Sequence, residues 1–111
     1  MSCCREGDDT RKWTIKAHGL SEWRVRELQA VCRQYDKLRR GTEAQRQKAR
    51  CIEQAARETQ AGAWEAVLMD NACRGVSYEH IDWADMPTSH RNAFFAARRE
   101  FFSRLDELLG F

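Results

Sequence analysis

Asn92, Arg99 and Ser103 fall on one side of a helix when residues 89–109 are wound at about 100° per residue, and Ser89 stands at its start. An amide and a guanidinium at helical spacing, with a serine hydroxyl at either end, match the donors and acceptors that base edges present in a major groove. A second group is purely cationic. Residues 36–50 carry Lys37, Arg39, Arg40, Arg46, Lys48 and Arg50 against two acids, a net +4. Such a run suits phosphate oxygens, which are held by charge without regard to sequence.

Other chemistry is less well served. No nucleophile–base pair or phosphate loop stands out, so no enzymatic activity is expected. Glu79 beside His80 does not make an acid–base pair, because adjacent helical residues point in different directions. The five cysteines, Cys3, Cys4, Cys32, Cys51 and Cys73, are odd in number and contain no C-x-x-C pair. They fit neither a disulfide framework nor a zinc site. The histidines show no ligand spacing, so neither a metal nor a cofactor is expected. Cys32 lies on an apolar helical stripe and reads as a small core residue.

The elements that must position these groups are helical. A chain of 111 residues with 42% hydrophobic and 32% charged residues and one proline fits a single soluble domain. It has no apolar run long enough for a bilayer, and "MSCCREGDDTRKW" lacks a signal-peptide core, so a cytoplasmic location is expected. Residues 1–18 read as a flexible tail and 19–111 as one all-α domain. Ser21 is a helix N-cap, with Leu20 and Val25 placed for a hydrophobic staple. Val25, Leu28, Cys32 and Tyr35 recur at helical spacing, and Gly41 ends the helix. Thr42 and Gln45 form a capping-box pattern before a second helix over about 43–59 whose apolar residues are small, Ala44, Ala49, Ile52, Ala55 and Ala56. Residues 19–61 are therefore expected to form a helical hairpin.

Residues 62–111 are expected to add three helices: one marked by Trp64, Val67 and Leu68, a short one capped by Ser77, and a long one capped by Thr88 or Ser89. On the long helix Phe94, Phe101, Phe102, Leu105, Leu108 and Leu109 share a broad apolar face, enough to suggest a homodimer. Arg98 lands near the centre of that face. An unpaired charge there is costly, so an ion pair with Glu79 or Asp85 is expected, or a route out to solvent. The opposite face also carries Glu100, Arg104 and Glu107, which suits solvent and an i,i+4 pair between Glu100 and Arg104.

"GVSYEHI", a turn through Pro87 and then a long arginine-bearing helix follow the order of a helix-turn-helix unit. The heptapeptide resembles the opening of helix-turn-helix segments in sigma-like and phage regulators. More broadly, "LQAVCRQY", "IEQAA", "GVSYEHI" and "MPTSHRNAFFAARREFFSRL" together are similar to a group of small prophage-encoded proteins of Firmicutes bacteria. That resemblance implies a phage setting inside a bacterial host cell and a regulatory role. Two functions follow as expectations. One is a DNA-binding regulator, with Ser89, Asn92, Arg99 and Ser103 facing bases and the six cations of 36–50 on phosphates of double-stranded DNA. The other is an adaptor or inhibitor that acts on a host or phage protein by contact alone.

Overall fold

The structure, a computed structural model, describes residues 20–88 and 90–110. The expected tail over 1–18 and Ser89 lie outside them. All regular structure among the described residues is helical: α1 (Glu22–Arg33), α2 (Tyr35–Arg39), α3 (Glu43–Glu58), α4 (Glu65–Arg74) and α5 (Arg91–Leu109). The molecule measures 42 × 38 × 22 Å. Its short dimension is that of two helix layers, since one helix with side chains is about 10–12 Å across.

α1 starts where its cap predicts, with the Ser21 side chain accepting from the Arg24 N–H at 3.0 Å. It stops earlier than its apolar stripe suggests. Gln34 interrupts the helix at φ −94°, ψ 8°, and separates α1 from the short α2. The residues on either side of this break are drawn to different partners. Arg33 Nε donates to the Ala72 carbonyl at 3.2 Å, and the Tyr35 hydroxyl donates to Glu53. α1 therefore packs on α4 and α5, and only α2 folds back on α3. The expected hairpin of residues 19–61 is thus reduced to α2 and α3.

The turn between α2 and α3 is fixed by local chemistry. Thr42 Oγ1 accepts from the Gln45 N–H at 3.2 Å, and Gln45 Oε1 accepts from the Thr42 N–H at 2.8 Å. Gly41 leaves room for this exchange and has no left-handed backbone. A Cβ at this position would lie 1.8 Å from Gln45 Oε1 and displace the returning side chain.

α5 is the central element, and α3 is its principal neighbour. Phe94, Ala97, Phe101, Phe102 and Leu105 are buried on α5, against Ala49, Cys51, Ile52, Ala55 and Ala56 on α3 and Leu28 and Cys32 on α1. The small residues of α3 admit the bulky rings of α5. Each fully buried Phe or Leu contributes about 1.5–3 kcal/mol. The face that suggested a dimer is largely consumed within this core, and only Leu108 and Leu109 stay partly exposed.

Two connections differ from expectation. α3 passes into α4 through three consecutive left-handed residues, Gln60 (φ 47°), Ala61 (φ 58°) and Gly62 (φ 85°). Two of them carry a Cβ, so the turn stores strain. It is held by Trp64, whose buried indole donates to Gln60 Oε1 at 3.0 Å, and by Glu100, which accepts from the Gln60 N–H at 3.4 Å. The second difference lies at 75–90. Gly75 ends α4 with φ 73°, as expected of a glycine cap, but the short fourth α-helix is replaced by two 3₁₀ turns, Tyr78–His80 and Trp83–Asp85. Ser77 meets the ring of His80 at 2.7 Å instead of capping a backbone N–H. The N-cap of α5 is His90, with no side-chain cap bond, and Thr88 Oγ1 accepts from the His90 N–H at 3.3 Å.

Candidate nucleic-acid interface

The cations of 36–50 occupy a projecting arm. α3 runs antiparallel to α5: Cys51 Sγ meets the Leu108 carbonyl at 3.7 Å, Glu58 meets Arg104 at 3.6 Å, and Gln60 meets Glu100. From Cys51 back to Glu43 the helix continues past the end of α5 for roughly 12 Å at 1.5 Å per residue. There α2 and α3 cover each other through buried Leu38 and Ala49. The four lysines and arginines Lys37, Arg39, Arg40 and Lys48 are exposed.

The six cations of the arm are not equivalent. Glu43 takes both Arg46 and Arg50, at 2.8 Å each, and Arg46 also donates to the Gly41 carbonyl at 2.7 Å. Its carboxyl is held below the usual range, first by Arg50 and then by Arg46. Arg46 and Arg50, expected on phosphates, are therefore partly neutralised within the arm. The pairing was visible in the spacing, because Glu43 stands three residues from Arg46 and seven from Arg50. Lys37, Arg39, Arg40 and Lys48 have no carboxylate partner among the described residues. Arg39 lies 5.6 Å from the centre of the Tyr35 ring. It lines an open cleft of about 560 Å³ between α2 and α4, together with Tyr35, Met69, Asp70 and Arg74. Arg74 is paired with Asp70 on its own helix.

The outer face of α5 is exposed at Asn92 and Arg99 and half-buried at Ser103. Arg99 has no carboxylate partner among the described residues. Ser103 lies among Glu100, Arg104 and Glu107, and Glu100 and Arg104 form the expected i,i+4 pair at 2.9 Å. Arg24 of α1 bridges to Asp106 at 2.6 Å along the other flank of this face. Arm and helix face do not converge. Counted along the two antiparallel helices, the tip of the arm is roughly 35 Å from Asn92.

Arg98 resolves differently from expectation. It meets neither Glu79 nor Asp85. Its Nε donates to Asn71 Oδ1 at 2.9 Å, and its guanidinium lies 4.8 Å from the centre of the Phe102 ring. The acceptor is a neutral amide on α4, and Asn71 in turn donates to the Val76 carbonyl at 3.0 Å. Burial pulls the Arg98 pKa below its ordinary value. Glu79 pairs instead with Arg91 at 3.1 Å, and its carboxyl is lowered by a backbone N–H and then by Arg91. Arg91 also stacks near Tyr78 and Phe95. These contacts tie the 3₁₀ turn to the first turn of α5.

One large apolar side chain among the described residues is strongly exposed: Trp23 at 75%, near Arg26. Sequence periodicity did not single it out. Among the described residues, no cluster of three His, Cys, Asp or Glu is placed to hold a metal ion, and no helix is long and apolar enough to cross a membrane. Compared with protein-family models, with curated proteins and with solved structures, the chain finds no match in any of the three.

Proposed function

We propose that this chain is a small, phage-type DNA-binding regulatory protein that grips the duplex backbone with the arm formed by α2 and α3. The observation that carries this reading is the set of four cations, Lys37, Arg39, Arg40 and Lys48, on a projecting element and without carboxylate partners among the described residues. Holding such like charges together costs stability and serves the fold little. A polyanion offsets that cost by releasing its counterions. In this reading Asn92, Arg99 and Ser103 supply contacts to bases, and Arg99 is the principal one because it is exposed and has no carboxylate partner among the described residues.

The docking differs from a tight helix-turn-helix. The residues between α4 and α5 form 3₁₀ turns over 78–85 in place of a short turn between two helices.

A second reading has its own support. Trp23 is an exposed aromatic anchor of the kind enriched at protein interfaces, and Glu100 and Glu107 on the outer face of α5 repel phosphates. These features favour an adaptor or inhibitor that binds a host or phage protein. Fluorescence anisotropy against a labelled random-sequence duplex, at low and at near-physiological salt, separates the two. Binding that weakens steeply with salt supports the DNA reading. Absence of binding at low salt rejects it in favour of protein contact.

A further inference from the structure

Two arginines from different helices are tied to consecutive residues in the last turn of α4. Arg33, the last residue of α1, donates from Nε to the Ala72 carbonyl at 3.2 Å. Arg98 of α5 donates from Nε to Asn71 Oδ1 at 2.9 Å. Each side chain is also located from a second side. The Arg33 guanidinium lies against Gly75, where a Cβ would stand 3.0 Å from Nη1, 3.1 Å from Cζ and 3.3 Å from Nη2. The absent side chain leaves its place to the arginine. The Arg98 guanidinium lies 4.8 Å from the centre of the Phe102 ring. Its acceptor is itself fixed, because Asn71 donates to the Val76 carbonyl at 3.0 Å.

Anchoring through Nε leaves the outer edge of each guanidinium for other partners. The Nη atoms of Arg33 and Arg98 make no hydrogen bond among the described residues, and none of them is buried without a partner, so they reach solvent. Neither arginine has a carboxylate within ion-pair distance among the described residues. Asp70 is taken by Arg74, and Asp36, three residues from Arg33, pairs with neither. The carbonyl end of α4 attracts cations, but it amounts to only about half a charge against two guanidiniums. It accounts for Arg33 and not for a second, half-buried cation at Arg98. Burial first, and then the like charge of Arg33, work against the charged form of Arg98.

We propose that Arg33 and Arg98 form a phosphate-binding site at the junction of α1, α4 and α5. Two planar forks offer donors to several oxygens of one tetrahedral group, whereas a carboxylate is satisfied by a single fork. A phosphate monoester carries a charge near −2 at neutral pH, which matches the pair. The Nε bonds hold both forks in advance, so little side-chain freedom is lost on binding. The phosphate is either free, as inorganic phosphate or a small phosphoester, or part of a nucleic-acid backbone. The site uses none of the arm's cations and does not depend on the DNA-binding reading.

The test titrates inorganic phosphate into the isotope-labelled full chain at constant ionic strength, with chloride as the balancing anion, and follows the arginine Nε–H signals by NMR. The signals of Arg33 and Arg98 should move together along one saturable curve. Arg33→Gln should weaken that binding about tenfold or more. Gly75→Asn keeps a residue that tolerates the left-handed helix stop but sets a Cβ against the Arg33 guanidinium, and should weaken binding as well. A short duplex in place of phosphate distinguishes the sources: movement of the same pair with duplex alone assigns the phosphate to nucleic acid. Failure of both probes to move the pair, a shift confined to one of the two arginines, or unchanged affinity in folded Arg33→Gln overturns the proposal. If Arg33→Gln does not fold, the two titrations of the unaltered chain decide alone.

Discussion

Removing two of the four cations that lack a carboxylate partner among the described residues tests the arm quantitatively. If Lys37, Arg39, Arg40 and Lys48 each neutralise one phosphate, the logarithm of the binding constant falls with the logarithm of salt concentration at a slope of about −3.6, or about 150-fold between 50 and 200 mM. Arg40→Ala with Lys48→Ala leaves two contacts. The slope should halve to about −1.8, and the same change in salt should then cost about 12-fold. Both side chains are exposed and have no carboxylate partner among the described residues, so folding stability should move by less than about 0.5 kcal/mol. The assay is anisotropy with a labelled duplex at four or more salt concentrations, with thermal unfolding of each protein as a control. A folded double variant that keeps the full slope would show that Arg40 and Lys48 do not touch phosphates and would refute the four-cation grip.

Further outcomes are expected. Glu43→Gln frees Arg46 and Arg50, so duplex binding should tighten and the salt slope should steepen by up to about 2 contacts' worth, measured in the same assay. Arg99→Ala should relax preference at one base position by about 1–3 kcal/mol in a binding-site selection; equal weakening on all sequences would make Arg99 a phosphate contact. Ala61→Gly should stabilise the protein by up to about 1 kcal/mol, because relief of the left-handed strain exceeds the added entropy of the unfolded chain. Gly62→Ala should lower the melting temperature, since its Cβ would add strain and lie 3.3 Å from the Arg57 carbonyl. Asn71→Leu removes the acceptor of Arg98 and the donor to Val76, and should cost about 1–3 kcal/mol in denaturant unfolding.

What could be read in advance was local. The caps at Ser21 and at Thr42 with Gln45 depend on neighbours three residues away, and both form as expected. The apolar stripe of α5 follows from its own periodicity. The break at Gln34 has no glycine or proline to mark it; it arises because α4 and α3 claim Arg33 and Tyr35. The left-handed backbone at Gln60 and Ala61 depends on Trp64 and on distant Glu100. The same holds for the candidate site. Which residues carry charge was plain, but the partnership of Arg98 with Asn71 and the distance between arm and α5 depend on how the helices pack. "GVSYEHI" suggested a helix, but the Ser77 hydroxyl pairs with the His80 ring and the segment keeps only a single 3₁₀ turn before Ile81 enters the core.

The arm has a consequence for the time course of motion. Before Cys51, α2 and α3 cover each other through buried Leu38 and Ala49, and the capping box fixes the turn between them. Such a unit can fray and re-form while the body stays intact. Its amides should exchange with solvent deuterium far sooner than those of α5. Any ligand that grips the tip must draw on its closed fraction, and would register as slowed exchange along the whole arm, including positions it never touches.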